Sequence, residues 1–269
     1  MSDTTTVHAC RLYDAAGNKI LWLYGGDPDG EAHFDQLKVT GRGLARQCKF
    51  GQEMTAVLFR SSRRWRALFW NPDGTEESVC GNAMRCAAHF ISDESAPIDE
   101  VSVETPHGTY LSRKLDANHG SAIMPAHTIQ IVTEKIDGDV LVNVGTPHRI
   151  RLVEEEWPAA GLRDAIACSE GPNPVNFDLV RKIGPFHFRV RIFERGVGET
   201  ASCGTGAAAI VAALGELGAD SIDRPHPHLV EFASGEQLNV TFNPALDSIE
   251  ISGRVEQLMA SSIPHWNPI

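Results

Sequence analysis

Cys80 and Cys203 are each followed by glycine and each open an alanine-rich stretch, CGNAMRCAAHF in one case and CGTGAAAIV in the other. Neither stretch holds an internal proline, so both read as helices, over Asn82–Ile91 and Thr205–Gly218, with the cysteine at the start. A thiol there sits at the positive end of the helix dipole, near backbone N–H groups that have no partner in the helix. That setting is expected to lower its pKa from about 8.5 toward neutrality and to make thiolate available. Gly81-Asn82 and Gly204-Thr205-Gly206 let N–H donors come close to an anion such as a carboxylate. Two such helix starts serving one carbon atom would make a proton-transfer device. One thiolate takes an α-proton from one face, the other thiol returns a proton to the opposite face, and the centre inverts. The same N–H groups and dipoles would stabilise the carbanion-like transition state, so the chemistry calls for neither a pyridoxal ring nor a metal.

Blander readings compete. A single cysteine after a strand is usually inert packing, and that is the expectation for Cys10, Cys48, Cys86 and Cys168. No CxxC pair occurs, and the Cys80–Cys86 spacing does not suit a zinc knuckle or ribbon. GVGETASCGTG contains a glycine pattern that alone could cradle a phosphate. The pairing of two Cys-Gly helix starts is what favours proton transfer over each of these.

Strand-like runs surround the two helices: Lys19–Tyr24, Thr55–Phe59, Arg66–Trp70, Val101–Glu104, Val140–Val144, His187–Phe193, His228–Phe232, Gln237–Phe242 and Ser248–Ile251. Several alternate apolar and polar residues, which suits half-buried antiparallel strands. The chain also reads as duplicated. NPDGTEESVCGNAMRCAA and ERGVGETASCGTGAAAIV superpose with an offset of 123 residues, which matches Glu76 to Glu199 and Cys80 to Cys203. Gly17-Asn18 matches Gly145-Thr146 at 128, and Gly108 with Gly235 and Ser121 with Ser248 match at 127. Landmarks in constant order at similar offsets predict an α+β fold of two pseudo-symmetric lobes. Each lobe would be a curved, mostly antiparallel sheet or barrel around a central helix, with the active site in the cleft between them. The lobes are expected at residues 1–125, carrying Cys80 and completed by 254–269, and at residues 126–253, carrying Cys203.

The length of 269 residues suits two such lobes. A formal net charge of −11 argues against nucleic acid as a partner, because phosphate binding needs clustered Lys and Arg. The basic run RSSRRWR, Arg60–Arg66, reads as a solvated turn or strand edge. No segment approaches the roughly 20 apolar residues of a membrane span, and the N-terminus lacks a secretion signal. The expected location is therefore the cytoplasm, where six cysteines would stay free thiols.

At these residues the chain resembles the diaminopimelate epimerase family of two-cysteine isomerases. NPDGTEESVCGNAMRCAAHF is similar to that family's first active-site signature, and ERGVGETASCGTGAAA to its second. Weaker similarity runs through TPHG, Met124-Pro125, GTPH, PVNF and the terminal SGEQL and EISG. The resemblance implies an amino-acid racemase or epimerase that works without a cofactor. Cys80 and Cys203 would be the acid/base pair, with His148 and Glu194 as an auxiliary polar pair. Gly81, Asn82, Gly204 and Thr205 would grip the α-carboxylate. Asn18, Asn71, Thr146 and Arg195 would contact the rest of the amino acid, Arg195 by a bidentate fork suited to a distal carboxylate. No metal or cofactor residue is implied, and a homodimer is the oligomer to test. From the residues alone, His148 could equally be a surface-loop histidine.

The family pattern is broken in four places. Gly17-Asn18 is followed by Lys19-Ile20 instead of Asp-Phe, Thr55-Ala56 stand where Asp-Gly or Asp-Gln belongs, Thr146 replaces an Asn before Pro147-His148, and the Asn of an Asn-Val-x-Phe element falls on Pro174 unless a shift restores Asn173. A buried polar group that loses its partner costs about 1–3 kcal/mol, so such changes could redirect substrate choice. The expectation is retained chemistry on an amino acid other than diaminopimelate. The alternatives are a true diaminopimelate epimerase, a proline-racemase or unsaturated-acid isomerase relative, and a binding protein that captures an amino acid without turning it over.

Overall fold

A computed structural model of the chain describes residues 9–27, 31–94, 97–219 and 226–261. Residues 1–8 and 262–269, the outer ends of the first expected lobe, lie outside the described residues. The chain divides into two units, Met1–Ala122 with Arg254–Ile269, and Ile123–Gly253.

In the first unit Ala9–Ala15 pairs antiparallel with Asn18–Tyr24 on one side and with Glu256–Ser261 on the other. The tight turn between the first two puts Ala16 and Gly17 at φ 55° and 79°, and the Asp14 carboxylate accepts from the Gly17 N–H at 2.8 Å. Helix α1, Glu31–Gln47, then crosses over to Met54–Ser61, which lies parallel to Asn18–Tyr24. Arg64–Trp70 returns antiparallel to it. Helix α2, Gly81–Glu94, makes the second crossover, to Glu100–Glu104 parallel to Arg64–Trp70, and Thr109–Lys114 pairs antiparallel beyond.

The second unit repeats this order. Gln130–Ile136, Asp139–Asn143 and Pro147–Leu152 pair antiparallel, and helix α3, Ala159–Glu170, crosses to the parallel strand Asn176–Gly184. His187–Glu194 returns antiparallel, and helix α4, Gly204–Ala213, crosses to the parallel strand Pro227–Phe232. Gln237–Asn243 and Ser248–Arg254 complete it. Each unit is thus mostly antiparallel, with parallel pairs only where a helix makes the crossover. Each strand read from alternation falls within or against an observed one.

Both crossover types follow from burial. Every residue of α2 from Gly81 to Ile91 and of α4 from Gly204 to Ala213 is buried, so these are the central helices. Trp22 stacks on Phe90 of α2 at 5.8 Å and meets Phe69 edge-on at 6.2 Å. On the other face of the same strands Leu21, Leu23, Val57 and Trp70 pack with Leu37 and Leu44 of α1. With both faces covered, Met54–Phe59 is buried without a break. α3 covers the second unit in the same way, through Ala165 against Phe177, Leu179 and Phe193. Helix α4 ends at Ala213, short of the expected Gly218, because the chain turns there: Gly218 sits at φ 65° and Leu217 N–H returns to Ala213 O.

The run RSSRRWR forms the hairpin turn between Met54–Ser61 and Arg64–Trp70, with Arg64 and Arg66 on the Glu104 carboxylate at 2.7 and 3.1 Å. Among the described residues no helix is long and apolar enough to cross a membrane. Gly120 lets its strand lie against α2, since a Cβ there would fall 2.2 Å from the Arg85 carbonyl oxygen. Backbone cannot swing aside as a side chain can. Gly120→Ala is expected to cost at least the roughly 1–3 kcal/mol of an overpacked core, read as a lowered midpoint in thermal unfolding. An unchanged midpoint would contradict this packing.

Candidate active site

Cys80 and Cys203 occupy equivalent places in the repeated topology, each capping a central helix. The Cys80 sulfur accepts from Ala83 N–H and the Cys203 sulfur from Gly206 N–H, both at 3.4 Å, while each cysteine carbonyl accepts the first helical hydrogen bond at 3.0 Å. The cap is expressed in backbone too, with Cys203 extended at φ −136° and ψ 115°. Gly206 leaves room for two neighbouring side chains. A Cβ would meet Ile192 Cδ1 at 2.5 Å and His148 Cε1 at 3.2 Å.

In the second unit the named residues converge. His148 is wholly buried in Pro147–Leu152, which removes the surface-loop reading. Its Nδ1 lies 2.8 Å from Asp178 Oδ2, and its Nε2 lies 3.2 Å from the Thr205 hydroxyl and 3.1 Å from Asn176 Nδ2. Thr205 Oγ1 lies in turn 3.2 Å from Cys203 Sγ. Glu194 ends its strand close enough for its charge to act on Cys203, and one of its oxygens accepts from the Thr200 hydroxyl at 2.6 Å. The backbone N–H of Arg195 donates to Asn176 Oδ1 at 2.8 Å. Thr146 is half-buried in the turn before His148, where its carbonyl accepts from Val144 N–H at 3.2 Å.

The first unit carries the counterpart. Asn82 is buried next to Cys80, and its Oδ1 accepts from Arg85 at 2.9 Å. Asn71 Nδ2 donates to Glu77 Oε1 at 2.8 Å. The pair Asn71–Glu77 stands 123 residues before Glu194–Thr200, and the same two positions are hydrogen-bonded in both units. Tyr110 is buried within reach of the Cys80 charge and bonds through its hydroxyl to His107 Nδ1 at 2.9 Å. Asn18 is buried at the start of its strand, and among the described residues its Oδ1 has no protein partner.

Sequence reasoning missed Asp178, Asn176, Glu77, Thr200 and Tyr110. Asn173 is exposed, and two residues after Pro174 the Asn176 amide faces His148. Thr55 shares its sheet face with Leu21 and Trp70, which pack on α1, while Ala56 belongs to the α2-facing layer with Trp22 and Phe69. Glu76 and Glu199, the matched acids of the duplication, are spent on surface ion pairs with Arg42 and Arg191.

The electrostatics correct another expectation. Burial pushes the Cys203 thiol well above its usual range, and the charge of Glu194 adds to the rise. The hydrogen bond from Thr205 and the Gly206 N–H oppose it without prevailing. The helix start alone therefore does not make a thiolate at Cys203. Burial likewise pushes Cys86 up to about 12 and Cys10 to about 11, which makes both inert packing at neutral pH. Among the described residues no three His, Cys, Asp or Glu side chains are grouped to hold a metal ion.

Comparisons place this arrangement among known proteins. Residues 140–244 match the family model of diaminopimelate epimerase. The diaminopimelate epimerase of Neisseria meningitidis is 32% identical over 211 residues, covering 69% of each chain. That of Xanthomonas campestris is 30% identical over 240 residues, 77% of this chain and 82% of the other. Among solved structures, a hydroxyproline epimerase from Agrobacterium vitis with bound trans-4-hydroxy-L-proline superposes with a TM-score of 0.67 over 96% of this chain and 91% of that one. Its sequence identity is 17%, so the likeness is one of fold.

Proposed function

Because the chain belongs to the diaminopimelate epimerase family, and is an isomerase of the amino-acid epimerase and racemase type, we propose that it inverts the Cα centre of an amino acid by two-base proton transfer with Cys80 and Cys203. The carrying observation is that each thiol caps a central helix, buried from Gly81 to Ile91 in one unit and from Gly204 to Ala213 in the other, at the same place in a repeated topology. A duplication that preserved only packing would have no reason to keep a sulfur at both caps, where Ser, Thr, Asp or Asn cap better.

In this reading one sulfur, as thiolate, removes the α-proton and the other, as thiol, supplies a proton to the opposite face. The reverse assignment runs the reaction backward. Backbone N–H groups at Gly81-Asn82 and Gly204-Thr205 bind the α-carboxylate, and the chemistry uses no cofactor. Arg195 offers a fork for a distal carboxylate.

We further propose that the substrate is an amino acid other than diaminopimelate. Support comes from Thr146 in the turn ahead of His148, from Lys19-Ile20 after Asn18 and from Pro174 where the family pattern has an asparagine. The test is turnover of a panel of L-amino acids, LL-diaminopimelate included, in deuterated buffer. Deuterium at Cα with inversion and no double-bond migration is expected. Exchange with none of the panel would defeat the enzymatic reading, and activity confined to diaminopimelate would defeat the altered substrate.

A further inference from the structure

In the first unit the layer between α2 and the sheet is filled only part of the way along. Trp22, Phe69 and Phe90 close its middle. Helix α2 then stops at Glu94, while the strands carry on to Tyr24 and to the hairpin pair Arg60 and Trp65. What remains is a cavity of about 300 Å³, walled by Tyr24, Leu58, Arg60, Trp65, Phe90 and Glu94. That volume is within the range of small-molecule sites. It lies at the far end of α2 from the Cys80 cap, about 20 Å away by the length of the helix. Strand register assembles the wall, with Tyr24 opposite Leu58 and Arg60 opposite Trp65. The Tyr24 and Trp65 rings stand 5.9 Å apart, and the Arg60 guanidinium lies 5.1 Å over the Trp65 ring.

The basic run read as a solvated turn thus turns one member inward. Arg64 and Arg66 of that hairpin share the Glu104 carboxylate, and Glu94 on the cavity wall is already held by Arg11 at 2.5 Å. Arg60 has no such partner among the described residues, and its Nε is closed off from solvent without a hydrogen bond. The Trp65 face attracts the charge but accepts none of the in-plane N–H groups. A donor shielded in this way is costly to leave bare, and packing does not call for it. A carboxylate would meet those donors in the geometry a guanidinium binds best, whereas an amine would meet a like charge. We propose that this cavity binds a small carboxylic acid with a flat apolar body, its carboxylate on Arg60 and its body against Tyr24, Trp65 and Phe90. The site is separate from the cysteines and does not depend on the two-thiol reading.

The probe is 3-phenylpropionate, with phenethylamine as a partner of similar body and opposite charge. Calorimetric titration of the full chain at pH 7 is expected to give one site with a Kd of about 1 mM or tighter for the acid, the affinity open to so small a ligand. Phenethylamine is expected not to bind. Arg60→Met keeps the apolar stem against Trp65 and removes the charge, so Kd rises about tenfold or more. Arg60→Lys falls between, because an ammonium lacks the fork. In protein labelled with 15N-tryptophan, the Trp65 indole resonance, assigned by its loss in Trp65→Phe, is expected to move as the acid is added. An acid that binds Arg60→Met as tightly as wild type overturns the proposal, and so does phenethylamine bound as tightly as the acid. A Trp65 resonance that stays in place at saturation, or no saturation at about 20 mM, overturns it as well. The charge preference and the indole shift are read on the wild-type chain and need neither a folded variant nor turnover.

Discussion

Cys80→Ser and Cys203→Ser are each expected to lower stereoinversion by about 10³-fold or more, the scale of removing a positioned acid/base group. Serine keeps the cap, since its oxygen can accept the N–H of Ala83 or Gly206 as sulfur does. It does not keep the chemistry, because an alkoxide is far harder to form than a thiolate at neutral pH. The two variants should differ in what survives. With one thiol replaced, the remaining thiolate can still remove the α-proton on its own side and return it to that side. Each variant then exchanges solvent deuterium into one enantiomer without inverting it, and the two variants choose opposite enantiomers. Chiral chromatography with mass detection of the α-deuteron reads both quantities. Cys48→Ser is the control: its thiol is half-buried and donates to Ala45 O at 3.2 Å, a bond a hydroxyl can make. Inversion surviving at a tenth of wild type in either active-site variant would remove the two-base mechanism.

What was legible in the sequence, and what was not, follows from distance along the chain. The cysteines could be found because each sits beside the glycines and alanines that make its surroundings, and because the same signature occurs twice. The partners of His148 could not, since Asp178 and Thr205 arrive from a different strand and a helix start. The parallel pairing of His148 with Asn176 brings those strands together only after α3 has made its crossover. The two outer helices hid for a different reason. Their buried stripes are built from small or polar residues, Thr40 and Gly41 beside Leu37 and Leu44 in α1, and Gly161, Ala165 and Ser169 in α3. The helical spacing is present without the hydrophobicity that usually reveals it. Gly41 is small because Trp70 fills its space, with a ring carbon 2.4 Å from where a Cβ would be. Thr55, which entered only through the family pattern, lies on the α1-facing side of the sheet with Leu21 and Trp70. The duplication itself was visible, yet its equivalences mislead when taken as function. Glu76 and Glu199 match in sequence and serve the surface, while Asn82 and Thr205, also matched, have come to depend on unlike supports.

Arg85→Met is expected to unfold the first unit more easily and to raise KM in the protein that remains folded. The guanidinium is fully buried and donates to Arg254 O at 2.9 Å, Ala15 O at 3.1 Å and Asn82 Oδ1 at 2.9 Å. It thereby ties the central helix to the end of the first strand and to the returning C-terminal segment. Methionine fills a similar length and satisfies none of the three acceptors. Each buried acceptor left bare costs about 1–3 kcal/mol, and removing one side of a buried charged network costs about 3–5 kcal/mol in all. For a chain of this size that corresponds to a fall of roughly 10 °C in Tm. The kinetic effect has a separate cause. By holding Oδ1, Arg85 fixes the orientation of the Asn82 amide, with the NH2 turned away from the guanidinium, the orientation that the proposed α-carboxylate grip calls for. Without Arg85 the amide loses the cation that holds its oxygen, and carboxylate binding is expected to weaken by about the value of one charge-assisted hydrogen bond, near 1.5–3 kcal/mol or about tenfold or more in KM. Arg85→Lys should recover part of the Tm, because one ammonium can reach only some of the three oxygens, and less of the KM, because it lacks the planar fork that fixes Asn82. Differential scanning calorimetry and kinetics well below the transition separate the two effects. A methionine variant with wild-type Tm would show that the three oxygens do not need the cation, and one with lowered Tm but wild-type KM would release Asn82 from its assigned role.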